Sequence, residues 1–198
     1  MAMRCTTSIL ALIISPIFLL LASAPLLVAG AGVDVNATCA KTPHPIYCSM
    51  VLNEDSDSKT AQNVRALAEI AIRASARIGA AAGSYAHREL DLVKDNALWQ
   101  CLNECAEDIE DAVSHLDDAE GEVDDKQFNL VAQYLQLSEQ DTWSCDESCR
   151  DTPPSPVRTT VLAKNTDFEK MMNITNALIK LVDGGAAKPA SSALPAKP

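Results

Sequence analysis

Two pairs of cysteines are the residues of this chain whose type and spacing could do chemistry. Cys101 and Cys105 lie in the stretch CLNEC, and Cys145 and Cys149 lie in CDESC. In each pair the two thiols are separated by about one turn of a helix. Four thiols so placed fit a zinc site, a redox-active dithiol or a set of disulfide bridges. The compartment in which the chain folds decides among these chemistries.

The first 31 residues have the layout of a secretory signal peptide. One positive charge at Arg4 precedes an apolar run from Ile9 to Ala29, and small residues follow the run. The run is long enough to serve as a membrane anchor, but Pro16, Pro25 and the small-residue end favour cleavage. We therefore expect residues 1–31 to be removed, and the remaining protein to be secreted and free of the membrane.

An oxidising compartment favours the disulfide interpretation of the cysteines. Cleavage removes Cys5 and leaves an even number of cysteines, namely Cys39, Cys48, Cys101, Cys105, Cys145 and Cys149. A zinc site is disfavoured by secretion and by a spacing of three residues within each pair. A redox dithiol is disfavoured because no Cys-x-x-Cys motif is present. We expect a disulfide framework, with no metal and no cofactor.

The charge of the chain is strongly acidic. The formal net charge is -11, and it becomes -12 when Arg4 is removed. Such a protein lacks the basic patch that nucleic acids require and is steered toward a basic partner. From Glu104 to Asp125 there are eleven carboxylates and no Lys or Arg. No EF-hand glycine accompanies them, so this run is interpreted as a solvated helix face that could dock a basic enzyme.

No set of residues predicts catalysis. His44, His87 and His115 lack a spacing that would bind a metal together, and no serine sits in a nucleophile elbow. The protein is therefore not expected to be an enzyme. Two sequons, at Asn36 and Asn173, allow N-glycosylation in the secretory pathway.

The spacing of apolar residues predicts a chain that is helical almost throughout. The clearest stripe runs from Leu98 to Ala119 in steps of four and three, with Asp95 as its N-cap and Gly121 as its end. Three further helices are predicted over residues 60–92, with a kink or break at Gly79 and Gly83, over 124–138, and over 157–182. Pro153, Pro154 and Pro156 separate the last two.

Four helices with one apolar stripe each are best buried as an all-α, up-down-up-down four-helix bundle. We assign this domain to residues 35–183. The last residues, 184–198, are rich in Gly, Ala, Pro and Ser and predict a disordered tail.

Four stretches, in this order, resemble the plant invertase/pectin methylesterase inhibitor family. They are CAKTPHPIYC, ALWQCLNECAEDIEDAVSHLDDA, LSEQDTWSC and MMNITNALIKLV, and the resemblance extends from Val35 to Val182. It implies a short helical hairpin before the bundle, stapled by Cys39–Cys48, and a second bridge, Cys101–Cys145. It also implies a protein of the apoplast or cell wall that inhibits an enzyme by non-covalent, one-to-one binding.

The chain departs from the family at two cysteines. The family usually has aromatic residues where Cys105 and Cys149 stand, and their paired replacement indicates a third disulfide. Two pairings stay open. The Cys101–Cys145 bridge implied by the resemblance leaves Cys105 to pair with Cys149, whereas two antiparallel helices would keep Cys101–Cys149 and Cys105–Cys145 in register.

The resemblance implies either pectin methylesterase or an acid invertase of the cell wall or vacuole as the partner. Invertase inhibitors of the family carry a Pro-Lys-Phe tripeptide that this chain lacks, which favours pectin methylesterase. The family's contact surface lies on the middle helices of the bundle. The candidate contact residues are therefore Glu107, Glu110, Asp111, Asp117 and Gln133. The alternative from another class is a non-inhibitory, wall-associated structural protein. The sequence predicts no oligomeric state.

Overall fold

The prediction of an all-helical bundle is confirmed. A computed structural model describes residues 32–185, and the predicted signal peptide and residues 186–198 of the predicted tail lie outside them. The described residues form helices and no strand. The helices are α1 (Val35–Cys39), α2 (Pro45–Glu54), α3 (Val64–Leu90), α4 (Asn96–Asp124), α5 (Phe128–Ser148) and α6 (Pro156–Gly185), with a 3-10 turn at Ser56–Lys59 after α2.

Helices α1 and α2 form the predicted stapled hairpin. The disulfide between Cys39 and Cys48 joins them, with the two Cα atoms 5.5 Å apart. Asp34 caps α1 by accepting a hydrogen bond from the Ala37 N–H, and Pro45 begins α2, where its missing N–H is not needed. Leu52 of α2 is fully buried, which fixes the hairpin on the bundle.

The four long helices form the bundle. Helix α3 packs against α4 and α6, and α5 packs against the same two helices. The short links between successive helices make neighbours antiparallel. The stripes predicted from the sequence meet in the centre, where several large side chains are fully buried: Leu102, Ile109, Leu116, Leu135, Phe168 and Met171.

Two predicted helix ends are wrong. Helix α4 continues through Gly121 to Asp124, because Gly121 has a negative φ and Val123, in the same turn, is fully buried. Helix α5 does not end at Ser138 but reaches Ser148. Burial of Thr142 and Cys145 continues the inner stripe by two further turns.

The predicted kink or break at Gly79 and Gly83 does not interrupt α3, which is one helix from Val64 to Leu90. A Cβ atom on Gly79 would lie 2.8 Å from Phe168 Cζ and 2.8 Å from Val113 Cγ2. This glycine therefore lets α3 approach α4 and α6 closely, rather than breaking the helix.

Candidate partner-binding site

Two disulfides join α4 to α5 at one end of the bundle. Cys101 is bonded to Cys149 and Cys105 to Cys145, with Cα separations of 4.7 Å and 4.2 Å. The Cys101–Cys145 bridge implied by the family resemblance is not formed. Because α4 and α5 are antiparallel, a residue near the start of α4 lies level with one near the end of α5.

The bridged cysteines are structural. All four have no exposed surface, and the sulfurs of Cys105 and Cys149, which belong to different bridges, lie 3.7 Å apart. Among residues 32–185 no three His, Cys, Asp or Glu side chains are arranged to hold a metal ion. The two disulfides therefore hold α4 and α5 in a fixed arrangement at this end of the bundle.

The five predicted contact residues are exposed and are divided between α4 and α5. Glu110 of α4 faces α3, where its Oε1 lies 2.8 Å from His87 Nε2. Asp111 faces α5, where its charge acts on Asp141. Glu107 accepts a hydrogen bond from Asn103 Nδ2 at 2.9 Å along α4. Asp117 lies farther along the same helix, and Gln133 lies on α5.

A cluster of carboxylates lies where α4 meets α5, and it joins part of the predicted acidic run of α4 to a carboxylate of α5. We name it the acidic seam, and it comprises Glu104, Asp108, Asp111 and Asp141. Burial, followed by the charges of Asp141, Glu104, Asp111 and Glu107, raises the pKa of Asp108 to about 6. Periodicity along α4 could not reveal the seam, because Asp141 comes from α5 and reaches it only through the register of the two helices.

His115 borders the seam on the side of Asp141. Its Nε2 lies 3.6 Å from Asp141 Oδ2, and its ring is stacked on Tyr134 with the centroids 6.3 Å apart. Burial raises the pKa of Asp141, His115 acts in the opposite direction, and Asp111 raises it further. The seam, with four carboxylates, therefore keeps a net negative charge near neutral pH.

A second surface that the sequence analysis missed lies between α5 and α6. Trp143 is 60% exposed and borders a groove of about 470 Å³. We name it the Trp143 groove, and it is lined by Trp143, Asp146, Glu147, Arg150, Arg158 and Leu162, with Thr166. Periodicity could not find this surface, because Trp143 lies beyond the predicted end of α5 at Ser138.

Comparison with known proteins identifies the class to which this arrangement belongs. A sequence model of the plant invertase/pectin methylesterase inhibitor family matches residues 33–178. The chain belongs to this family. Members of the family are inhibitors and not enzymes. No curated protein sequence matches the chain.

Solved structures of similar fold carry the same family name. A mutant form of a pectin methylesterase inhibitor from Arabidopsis superposes with a TM-score of 0.64 at 15% identity, over 74% of this chain and 95% of that one. A pectin methylesterase inhibitor from Arabidopsis thaliana gives a TM-score of 0.56 at 13% identity, over 74% and 94% of the two chains. At these identities the likeness establishes the fold.

Proposed function

We propose that the protein is a secreted inhibitor that binds pectin methylesterase non-covalently and one-to-one. The observation that carries the proposal is the family match over residues 33–178, nearly the whole of the described bundle. The stapled helices support it physically. Cross-links hold α4 and α5 in their bound shape before the partner arrives, which lowers the ordering cost of association.

The charge of the protein suits a basic partner. With Arg4 removed the formal net charge is one unit more negative than the -11 of the whole chain. Glu107 and Asp117 lie on the exposed face of α4, where their charges can act on an approaching partner. Charges of this kind accelerate encounter with an enzyme of opposite sign, and the acceleration falls as salt is added.

The link between α5 and α6 bears on the choice of target. It contains Pro153, Pro154 and Ser155, and Ser155 Oγ accepts a hydrogen bond from the Arg158 N–H at 3.1 Å to begin α6. The chain has no Pro-Lys-Phe tripeptide here or elsewhere. This favours pectin methylesterase over acid invertase.

We place the protein in the apoplast as a glycoprotein. Asn36 and Asn173 are both exposed, so a glycan on either side chain would extend into solvent. Two residues after each asparagine, the Thr38 hydroxyl donates to the Asp34 carbonyl oxygen and the buried Thr175 hydroxyl shares a hydrogen bond with Ser75 of α3. Glycan transfer would thus have to precede folding.

A parallel titration tests the proposal. Residues 32–198, produced in an oxidising host, are added in rising ratio to a pectin methylesterase and to an acid invertase, each at about pH 5 and about pH 7, on either side of the raised carboxylate pKa values. We expect the loss of esterase activity to saturate near one-to-one while the invertase keeps its activity.

Two other results of the titration would change the proposal. Saturating loss of invertase activity alone would replace the target. Full activity of both enzymes in the presence of excess, folded and oxidised protein would contradict an inhibitory role toward them and favour the wall-associated structural alternative.

A further inference from the structure

We infer that Trp143 is the anchor by which the protein holds its enzyme, and that the acidic face of α4 acts mainly in the approach. The inference rests on the proposed function and names the surface that performs it. It starts from the exposure of Trp143, at 60% the most exposed aromatic side chain among the large exposed apolar residues of the described chain.

The backbone around Trp143 is unusually well fixed. Two and six residues further along α5, Cys145 and Cys149 are bridged to α4. On the α6 side, Asn165 Nδ2 donates to the Thr142 carbonyl oxygen at 2.8 Å and to Asp146 Oδ1 at 3.1 Å. The backbone that carries the indole is therefore already ordered, so binding a partner would cost it little conformational entropy.

Arg158 fixes the far end of the same segment. Its Nε donates to the Cys149 carbonyl oxygen at 2.9 Å and its Nη2 to the Arg150 carbonyl oxygen at 3.3 Å. Cys149 is the C-cap residue of α5 and Arg150 follows it, so these bonds tie the end of α5 to α6. Arg150 in turn pairs with Glu147. The groove is thus braced by polar contacts on both sides of the exposed ring.

The charges around the ring indicate the chemistry of the partner. Glu139 and Asp146 lie one helical turn on either side of Trp143, and Glu169 of α6 lies beside them. Burial, then the charges of Asp146 and Glu139, raises the pKa of Glu169, which shows that these carboxylates repel one another in the free protein. An enzyme surface that places a Lys or Arg side chain beside an apolar recess would satisfy both the carboxylates and the indole.

A pectin fragment is a poorer fit to the same groove. A uronate chain is anionic, and it would approach a protein of strong negative charge. The guanidinium of Arg158 is occupied by backbone carbonyls and that of Arg150 by Glu147. We therefore assign the groove to a protein partner.

Binding kinetics should distinguish the Trp143 groove from the acidic face of α4. An exposed charge at the rim of an interface changes the association rate and its salt dependence, whereas a central aromatic side chain changes the dissociation rate. Trp143→Ala should raise the dissociation rate from pectin methylesterase by about 30-fold or more, the effect of a hot-spot residue, with little change in the association rate. A double variant, Glu107→Gln with Asp117→Asn, should lower the association rate and weaken its salt dependence, with little change in the dissociation rate.

The chain supplies its own matched control. It has two tryptophans, and Trp99 of α4 is 47% exposed but does not line the groove. Trp99→Ala should leave both rates unchanged. Because both side chains are exposed, each variant should keep the wild-type circular dichroism spectrum and melting temperature.

Surface plasmon resonance with immobilised pectin methylesterase measures both rates. In parallel, Trp99→Phe leaves Trp143 as the single fluorescent tryptophan, which is titrated with the enzyme and with oligogalacturonides. A fluorescence change with the enzyme alone, and fast dissociation of Trp143→Ala alone, support the inference. An unchanged dissociation rate for Trp143→Ala overturns it while the inhibitor function stands, and a fluorescence response to the oligogalacturonide alone reassigns the groove to a sugar. If the wild-type protein inhibits nothing, the proposed function fails and the inference fails with it.

Discussion

The two flanks of helix α5 are held by different forces. Toward α4, two disulfides cross the interface within one helical turn of each other. Toward α6 no bridge exists, and the links are hydrogen bonds from two side chains of α6. Asn165 donates to the Thr142 carbonyl oxygen in α5, and Arg158 donates to that of Cys149, the C-cap residue of α5. Each flank also carries half-buried carboxylates with raised pKa values, Asp108 on one and Glu169 on the other.

The difference shows how one helix can be fixed without being buried. Disulfides stabilise chiefly by limiting the unfolded chain, so they need no large apolar contact. The buried amide of Asn165 acts in the native state and is directional. Together they orient α5 while leaving its outer face, including Trp143, free for a partner.

Removing both bridges from the α4 flank should have the largest effect. The bridges span 48 and 40 residues and are nested, so once one has formed, the other closes a loop of only about eight residues. On the chain-entropy model the first bridge is worth about 4 kcal/mol and the second about 2.5 kcal/mol. Replacing all four cysteines by alanine should lower the free energy of unfolding by about 6.5 kcal/mol.

Either single bridge should compensate for most of this loss. Cys101→Ala with Cys149→Ala should cost about 2.5 kcal/mol, and so should Cys105→Ala with Cys145→Ala. Chemical denaturation of the three variants measures the differences. Costs that simply add would show that the bridges act independently, contrary to nesting.

On the α6 flank, Asn165→Ala should cost about 2 kcal/mol, because it removes two hydrogen bonds from a fully buried side chain. Asn165→Asp should cost more. It removes the amide donor and places a carboxylate next to Asp146, so like charges meet in a buried site. Thr166→Ala, at the neighbouring exposed position, is the control and should be close to neutral. Equal stability of the two Asn165 variants would contradict the role given to the amide.

The smallest effect is the pH dependence of stability that comes from the half-buried carboxylates on the two flanks. The pKa of Asp108 is raised from 3.8 to about 6 in the folded protein, so its protonation stabilises the fold. That contribution is complete below pH 4 and is lost as the pH rises through 6. After allowance for solvent screening, stability should rise by roughly 1 kcal/mol from pH 7 to pH 5 on account of this group.

Asp108→Asn measures that contribution by difference. The gain in stability of the wild-type protein between pH 7 and pH 5 should exceed that of the variant, because Asp141, Glu104, Asp111 and Glu107 no longer face a titrating group. Glu169→Gln should reduce the gain in the same direction on the other flank. Parallel pH profiles for wild type and Asp108→Asn would show that the acidic seam does not control stability.

The sequence predicts which face of each helix is buried better than it predicts the register between neighbouring helices. The four-three spacing from Leu98 to Ala119 correctly identified the buried side of α4, and Asp95 does cap that helix, accepting from the Leu98 N–H at 2.8 Å. The disulfide pairing required more, since periodicity fixes which side a cysteine is on but not which residue of the next helix lies level with it.

The same limit applies to the candidate site. Exposure of Glu107 and Asp117 follows from their positions between stripe residues. The acidic seam and the Trp143 groove each combine side chains of two helices, so they emerge only when the helices are packed. The length of α5 was underestimated because its buried stripe continues through Thr142 and Cys145, which stand among polar residues. The polar residue type of Thr142 did not indicate that it would be buried.

The turn between α4 and α5 has a consequence for limited proteolysis. Lys126, exposed and with a φ of 60°, lies at the opposite end of these helices from the two bridges. Trypsin cutting after Lys126 would divide the chain between the helices, yet the fragments would stay joined by Cys101–Cys149 and Cys105–Cys145. Because these bonds are four residues apart on each helix, the nicked helices could not rotate freely about a single link. The nicked protein should therefore migrate as one species without reductant and as two fragments with it.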